Sequence, residues 1–152
     1  MAQEFSQTVR HLLGAYEARR EAEAAERRRA QEAAEERRRA RREALKSAVV
    51  PTVNEAAKLL QDAGHAAHVV FREMDGGVIL IVRPKGGKRR ADGPVPFTLS
   101  FDPVEDDVAV SAVYGERDEG NPFLEDQRGL GDLTPEWAEE LVARFLETAL
   151  DH

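Results

Sequence analysis

Residues 21–43 read Glu21-Ala-Glu-Ala-Ala-Glu-Arg-Arg-Arg-Ala-Gln-Glu-Ala-Ala-Glu-Glu-Arg-Arg-Arg-Ala-Arg-Arg-Glu43, with no glycine, no proline and no β-branched residue. Almost every position is Ala, Glu or Arg, which are strong helix formers. Opposite charges also recur four residues apart, as in Glu23 and Arg27 or Glu35 and Arg39, and such pairs stabilise a helix. The stretch predicts a long, solvated helix that is braced by its own ion pairs.

The predicted helix extends on both sides of this stretch, from about residue 4 to about residue 48, which is roughly 65–70 Å at 1.5 Å per residue. Its first turns are amphipathic, because apolar residues recur there with the 4-3-4 spacing of one helix face. No other segment of the first 45 residues can bury this apolar stripe, so we expect it to bind a protein partner or a second copy of the chain. The alternative is that the helix folds back and buries the stripe on the rest of the chain. The apolar stripe consists of Phe5, Val9, Leu12, Leu13 and Tyr16.

Charge is distributed unevenly along the 152 residues. Residues 1–50 carry 12 Lys and Arg against 9 Glu, a net charge of +3, whereas residues 51–152 carry 10 Lys and Arg against 20 Asp and Glu, a net charge of −10. The sequence thus predicts a charged helical arm over 1–50 and a small acidic α+β domain over 51–152. Such an asymmetry can orient an assembly or attract a charged partner.

Composition excludes several classes of protein. The chain has no cysteine, which rules out disulfides, Cys-ligated zinc and thiol catalysis. The N-terminus lacks the basic cluster and apolar run of a signal peptide, and the apolar run over residues 78–82 is far too short to cross a bilayer. We therefore expect a cytoplasmic protein that does not contact membranes. Arginine outnumbers lysine 18 to 4 and alanine is abundant, which favours GC-rich bacterial coding.

The helical pattern is interrupted where Val50 precedes Pro51. A residue before proline is disfavoured in the helical conformation, whereas proline itself suits the first turn of a helix. Thr52 and Glu55 have the spacing of a capping box, so a second helix is predicted to begin here and to end at Gly64. A continuous helix with a kink at the proline is the alternative.

After the second helix the hydrophobic period becomes that of strands. Asp75-Gly76-Gly77 predicts a hairpin turn, residues 115–133 predict a long acidic loop, and Thr134 predicts the N-terminus of a last helix. The predicted fold is therefore α+β: a long protruding N-terminal helix, then a helix, a four-stranded antiparallel β-meander and a C-terminal helix packed on one face of the sheet. The four strands are predicted over His68–Met74, Val78–Arg83, Val95–Phe101 and Val108–Tyr114.

Two groups of residues are of the types that bind metals, but neither has a metal-binding spacing. His65 and His68 straddle a helix end and a strand start, with no third histidine nearby and no cysteine. The acidic residues of the 115–133 loop lack the order of a calcium-binding loop. We expect no metal, no cofactor and no small-molecule substrate. The acidic residues considered are Glu116, Asp118, Glu119, Glu125 and Asp126.

Basic residues form a candidate surface for nucleic acid. Some lie in the long helix and others in a glycine-rich loop, which has no Walker spacing and no helix start after it. Glutamates interleave the helix, the rest of the chain is acidic, and the sheet offers no aromatic stacking platform. Nucleic-acid binding is therefore the less favoured alternative. The residues are Arg37, Arg38, Arg41 and Arg42 in the helix, and Lys85, Lys88, Arg89 and Arg90 in the loop.

The sequence carries no catalytic signature, because its serines and threonines lie in predicted strands or caps without a Gly-x-Ser-x-Gly elbow. We therefore expect a non-enzymatic protein-interaction or oligomerisation module, such as a subunit or adaptor of a larger assembly, that uses the apolar stripe. A third hypothesis is a chaperone-like module that binds an unfolded client. Phe123 and Leu124 in the acidic loop would contact such a partner or else anchor the loop to the core.

Overall fold

The computed structural model describes residues 2–90, 93–115 and 121–151, and the chain divides into two compact units, Met1–Arg37 and Arg38–His152. The order of elements confirms the predicted α+β fold, with a long N-terminal helix, a second helix, an antiparallel sheet and a C-terminal helix that packs on the sheet. The sequence placed the domain boundary at residue 50. That boundary stays a prediction, and Leu45 and Ala48 of the first helix are buried in the core of the second unit.

Helix α1 spans Ala2–Ala48, and over most of its length it depends on the helix propensity of its residues. Between Ala2 and Arg37 no side chain is fully buried. The predicted ion pairs are not formed: in the part of the chain that the structure describes, ion pairs occur only at Arg72. Arg29 and Arg37 instead donate hydrogen bonds from Nε to the carbonyl four residues earlier, each at 3.4 Å. Exposed ion pairs contribute only about 0.2–0.5 kcal/mol each to the stability of a helix. The composition, which is rich in Ala, Glu and Arg, is therefore what favours the helix here.

A break in the backbone at Val49 separates α1 from helix α2, Val50–Asp62. Val49 has φ −110° and ψ −47°. Its N–H still donates to the carbonyl of Leu45 at 2.9 Å, and its carbonyl accepts from the N–H of Val53 at 3.0 Å. The junction is therefore closer to a kink than to a complete interruption. The predicted capping box is wrong, because Thr52 lies inside α2 and no side chain caps this helix at its N-terminus.

Helix α2 ends in a Schellman motif, as its glycine predicted. Gly64 has φ +94°, its N–H donates to the carbonyl of Gln61 at 3.0 Å, and the N–H of His65 donates to the carbonyl of Leu60 at 2.9 Å. These bonds satisfy carbonyls that the helix end would otherwise leave unpaired. Leu59 is 62% exposed. The buried side consists of Val53, Ala56, Ala57 and Leu60.

The described strands form one five-stranded antiparallel sheet and one two-stranded ribbon. In chain order they are β1 Ala66–Phe71, β2 Val78–Arg83, β3 Arg89–Arg90, β4 Gly93–Pro94, β5 Phe97–Val104, β6 Asp107–Tyr114 and β7 Leu124–Gly129. The sheet has the order β1-β2-β5-β6-β7, and β3 pairs with β4. Strand β7 corrects the prediction of a four-stranded meander followed by a loop over 115–133. Its sequence has little intrinsic β propensity, and it is ordered by antiparallel pairing with β6.

The hydrophobic core joins one face of the sheet to α2 and to helix α3, Pro135–Leu150. Thr134 caps α3 as predicted, because its Oγ1 accepts a hydrogen bond from the N–H of Trp137 at 3.2 Å. The Trp137 ring meets Phe101 edge-on with centroids 5.9 Å apart, and its Nε1 donates to Asp126 at 2.8 Å. These contacts tie α3 to both β5 and β7. The buried side of α3 includes Trp137, Leu141, Val142, Phe145 and Ala149.

The last turns of α1 pack on the turn between β1 and β2. Gly76 in that turn has φ +78°, and a Cβ there would lie 2.6 Å from Cγ and 3.1 Å from Cα of Arg42. Arg42 also donates from Nη1 to the carbonyl of Glu73 at 3.3 Å. Lys46 Nζ lies 5.8 Å from the centroid of the Phe71 ring. The predicted glycine turn is confirmed, and it is also the place where the helix contacts the hairpin.

Candidate protein-interaction surface

The apolar stripe of α1 is exposed within the unit Met1–Arg37. Phe5, Leu12, Leu13 and Tyr16 leave 72%, 61%, 54% and 51% of their surface accessible, and Val9 is partly buried. Because α1 is helical throughout these turns, the five side chains share one face, as their spacing predicted. Single exposed apolar residues are ordinary on protein surfaces. A contiguous row that includes two aromatic rings is typical of a binding surface.

The positions beside the line of Phe5, Val9, Leu12 and Tyr16 carry no charge. Thr8 is one of them, and its hydroxyl donates to the carbonyl of Glu4 at 2.8 Å, so the polar group is already satisfied by the helix. Two identical stripes can therefore face one another without opposing like charges. The uncharged flanking residues are Ser6, Thr8 and Ala15. Arg10 and Glu17 border the stripe on the Leu13 side, and Glu4 and His11 lie farther round the helix.

The stripe ends at Tyr16, where charged residues replace apolar ones. The next positions of the same seam are Arg19 and Glu23, and the Arg20 guanidinium lies 5.8 Å from the centroid of the Tyr16 ring. Farther on, only alanines and charges occupy the seam, which is a poor pattern for a coiled coil. From Phe5 to Tyr16 the stripe is about 17 Å long at 1.5 Å per residue. It is a compact contact surface.

The structure separates the two basic groups that the sequence suggested for nucleic acid. Arg42 lies against Gly76 in the β1–β2 turn. The basic loop follows the other end of the same hairpin, where the N–H of Lys85 donates to Nδ1 of His65 at 2.8 Å. Strand β1 lies between these places, and six residues of strand extend over about 20 Å. The end of α1 and the basic loop therefore do not form one continuous surface. Arg37, Arg38, Lys85, Lys88 and Arg89 are exposed or partly exposed, Arg41 is partly buried, and Arg90 belongs to β3.

The candidate metal ligands are not brought together. Among the described residues, no group of three His, Asp or Glu side chains is arranged to hold a metal ion. His65 accepts a backbone hydrogen bond, and His68 is exposed on β1. Glu125 and Asp126 belong to β7, where Asp126 accepts the hydrogen bond from the tryptophan of α3. The other acidic candidates, Glu116, Asp118 and Glu119, lie outside the described residues.

Phe123 and Leu124 connect the start of β7 to the core. The N–H of Phe123 donates to the carbonyl of Ala112 at 2.9 Å. The Phe123 ring stacks on that of Phe145, with centroids 6.1 Å apart and 8° between the planes. Leu124 is 6% exposed, whereas Phe123 retains 37% of its surface. These contacts favour the anchoring role over a contact with a client.

A charged cluster on the sheet face opposite the helices was missed from the sequence. Arg72 pairs with Asp102 of β5 and lies 3.3 Å from Asp75. Its Nε is buried without a partner, and a Cβ at Gly77 would collide with the guanidinium. The strand register brings Asp102 to Arg72, so sequence spacing gave no signal for that pair. The cluster joins β5 to the β1–β2 turn, which is a structural role.

Comparisons with known proteins give no guide to function beyond the candidate surface. The chain matches no protein-family model, no curated protein and no solved structure. Within the described ranges, none of the helices combines the length and the apolar character that crossing a membrane requires. The function of this chain is therefore inferred from its own surfaces.

Proposed function

We propose that this chain is a non-enzymatic protein-interaction module whose apolar stripe pairs with the stripe of a second copy. The exposure of Phe5, Leu12, Leu13 and Tyr16, each above half of the residue surface, is the observation that carries the proposal. Burial of apolar surface is favourable by about 25 cal/mol per Å². A helix that presents such a row therefore gains stability when another apolar surface covers it.

The charges around the stripe favour a second copy as the occupant and an antiparallel arrangement of the two helices. The residues beside the line of Phe5, Val9, Leu12 and Tyr16 are uncharged, so two copies can meet along this line without like-charge contacts. Small residues such as Ser6 and Ala15 allow the two backbones to approach closely. In a parallel pair Arg19 would face its own copy at the end of the seam, whereas an antiparallel pair separates the two Arg19 side chains.

The length of the stripe sets the expected strength of pairing. Five residues over about 17 Å of helix bury less than the roughly 800 Å² per partner of a standard protein–protein interface. We therefore expect a reversible dimer whose population rises with protein concentration, and not a permanent one.

Sedimentation velocity over a wide range of concentrations tests the proposal. The wild-type chain should shift from monomer to dimer as concentration rises. The double variant Phe5→Ala/Leu12→Ala should remain monomeric where half of the wild type is dimeric, because it loses two of the most exposed stripe side chains. The variant and the wild type should show the same far-UV circular dichroism, since alanine favours helix.

A matched control uses the other side of the same turns. Gln7→Ala/Gly14→Ala changes two residues away from the stripe, and a Cβ at Gly14 meets no atom within 4 Å. This control should dimerise at least as well as wild type. A wild type that stays monomeric at every concentration, or a control that loses dimerisation as fully as the stripe variant, would show that the stripe does not pair with itself.

Other occupants and functions make different predictions. A stripe that binds a different protein, as in a subunit or adaptor of a larger assembly, leaves the isolated chain monomeric. The nucleic-acid alternative predicts binding that weakens steeply with salt, and the separation of the two basic groups gives it no support. The chaperone alternative loses Leu124 as a contact because that residue is buried. A bacterial and cytoplasmic origin stays a prediction from composition.

A further inference from the structure

The two edges of the five-stranded sheet differ in how they are protected. Strand β7 carries Glu125, Asp126 and Arg128, and two of these are held by Trp137, which donates to Asp126 at 2.8 Å and lies 5.4 Å from the Arg128 guanidinium. Strand β1 at the other edge reads Ala-Ala-His-Val-Val-Phe, with no acidic residue, lysine or proline. Charges and prolines at an edge oppose the addition of another strand. The β1 edge lacks that protection.

Alternate residues of β1 form backbone hydrogen bonds to β2. The residues between them direct their N–H and C=O groups away from the sheet. The N–H of Arg72 donates to the carbonyl of Gly77 at 2.8 Å just beyond the strand. Since antiparallel ladders alternate bonded and non-bonded pairs, the register of β1 and β2 assigns the next bonded pair to Val70. The residues between the bonded ones direct their N–H and C=O groups outward. They are Ala67, Val69 and Phe71.

A side chain closes one end of this outward row. Gln61 Nε2 donates to the carbonyl of Ala67 at 2.6 Å, which agrees with the outward direction of that carbonyl. The backbone groups of Val69 and Phe71 have no comparable partner among the hydrogen bonds of the described residues. Two N–H groups and two carbonyls are therefore free to pair with another extended chain.

An open groove lies beside these groups, within the unit Arg38–His152. It separates the last turns of α1 from the end of β1, and α1 contributes three cationic side chains and one carboxylate to its lining. Its lining has three cations and two carboxylates and so a net charge of +1, whereas the unit as a whole carries 15 Lys and Arg against 21 Asp and Glu. The groove is lined by Arg39, Arg42, Glu43 and Lys46 of α1 and by Phe71 and Glu73.

We propose that this groove binds an extended acidic segment of another protein, which adds to β1 as an antiparallel sixth strand. Residues that exchange hydrogen bonds in an antiparallel pair have their side chains on the same face. Val69 and Phe71 face the helices, so the peptide residues bonded to them direct their side chains toward Arg39 and Lys46. The intervening residues lie beside Val70, which is 37% exposed. The site therefore selects an acidic residue at every second position and an apolar residue between.

The probe is an acetylated and amidated hexapeptide of alternating glutamate and valine, titrated into the isotope-labelled full chain by NMR. The Phe5→Ala/Leu12→Ala variant serves as the host, so that pairing through the stripe does not interfere. Amide shifts and exchange protection should concentrate at Val69 and Phe71. A lysine–valine peptide of the same length should bind at least tenfold more weakly, because it brings like charge to the groove.

Two N-methylated versions of the probe test the strand geometry without altering the protein. Methylation of the glutamate nitrogens removes the N–H groups that face β1 and should abolish binding. Methylation of the valine nitrogens affects groups that point to solvent and should leave binding within about threefold, since main-chain hydrogen bonds are what hold an added strand. On the protein side, Arg39→Glu/Lys46→Glu should weaken the acidic peptide at least tenfold while the chain stays folded, because both side chains lie at the surface.

Each contrary outcome removes the proposal. Equal binding of the two N-methylated peptides would mean that charge alone attracts the peptide, without strand pairing. Equal binding of the lysine–valine peptide would eliminate the acidic preference. Protection of Val69 and Phe71 that rises with protein concentration in the absence of peptide would identify a second copy of β1 as the occupant. If the acidic peptide does not bind at millimolar concentration, the β1 edge does not bind acidic segments.

Discussion

The two parts of helix α1 have similar sequences and different reasons to be helical. From Ala2 to Arg37 no side chain is fully buried, and the helix depends on the propensity of Ala, Glu and Arg. From Arg38 to Ala48 the same helix buries Leu45 and Ala48 in the core, and tertiary packing supplies stability that short helices need. Exposed apolar residues in the first part are therefore free for another surface, whereas apolar residues in the second part maintain the fold.

The largest expected difference in the free energy of unfolding comes from replacing a leucine with alanine in each of the two parts of α1. Leu45→Ala removes a fully buried side chain and should lower the free energy of unfolding by about 2–5 kcal/mol. Leu13→Ala, in the exposed stripe, should change it by less than about 0.5 kcal/mol. Urea unfolding followed by the fluorescence of the buried Trp137 reports on the unit that begins at Arg38. Equal losses in the two variants would contradict the division of the helix.

A pair of glycines tests the contact between α1 and the β1–β2 turn. Gly76 and Gly86 have φ of +78° and +76°, so alanine should cost about 1–2 kcal/mol of backbone strain at either position. A Cβ at Gly76 also approaches Arg42, whereas a Cβ at Gly86 meets nothing within 4 Å. Gly76→Ala should therefore destabilise the fold by about 1 kcal/mol more than Gly86→Ala. Chemical denaturation of both variants measures the difference, and equal effects would mean that the helix contact carries no stability.

A smaller effect is expected from removing the glycine in the exposed part of α1. Gly14→Ala should stabilise the helix locally by about 1 kcal/mol, because the added methyl group is unobstructed. Amide hydrogen exchange should slow by about fivefold in the neighbouring turns, with no change in urea unfolding. An equal gain in the urea midpoint would show that the first turns of α1 unfold together with the second unit.

The smallest effect is expected on the helix content when the salt concentration is raised. No ion pairs are formed along the described part of α1, so raising the salt from about 0.05 M to about 1 M, which screens exposed charges, should leave the circular dichroism at 222 nm nearly unchanged. A marked loss of helix in salt would show that the ion pairs predicted from Glu23 and Glu35 do stabilise it in solution.

Local sequence signals predicted most of the elements. Helix composition predicted α1, Gly64 predicted the end of α2, and Thr134 predicted the start of α3, because each signal acts within a few residues of the chain. Strand β2 has the predicted bounds, Val78–Arg83. The apolar stripe was likewise visible as a spacing on one helix face.

Features that depend on distant residues were not predicted. Strand β7 has a polar sequence and is ordered by pairing with β6. The pairing of Arg72 with Asp102 depends on strand register, and the burial of Leu45 depends on where α1 meets the sheet. The groove beside β1 joins residues of α1 to a strand edge. In each case the partner is supplied by the fold, so a single sequence window contains no signal for it.

The most direct test of stripe pairing is the distance between the stripes of two copies. The chain has no cysteine, so Arg10→Cys introduces a single site for a spin label in the middle of the stripe turns but away from its contact face. Pulsed electron paramagnetic resonance should give a narrow distance distribution near ~20 Å, since packed helices lie about 8–10 Å apart and each label adds its own length. A Glu4→Cys label should give a distance near ~28 Å in an antiparallel pair, because its axial offset of about 20 Å adds at right angles to the lateral separation.

Adding Phe5→Ala/Leu12→Ala to either labelled chain should remove the distance peak, and the urea midpoint should not change. We predict a peak that grows with protein concentration and depends on the stripe. The absence of any dipolar signal up to millimolar concentration, or a peak that survives the loss of Phe5 and Leu12, would contradict pairing through the stripe.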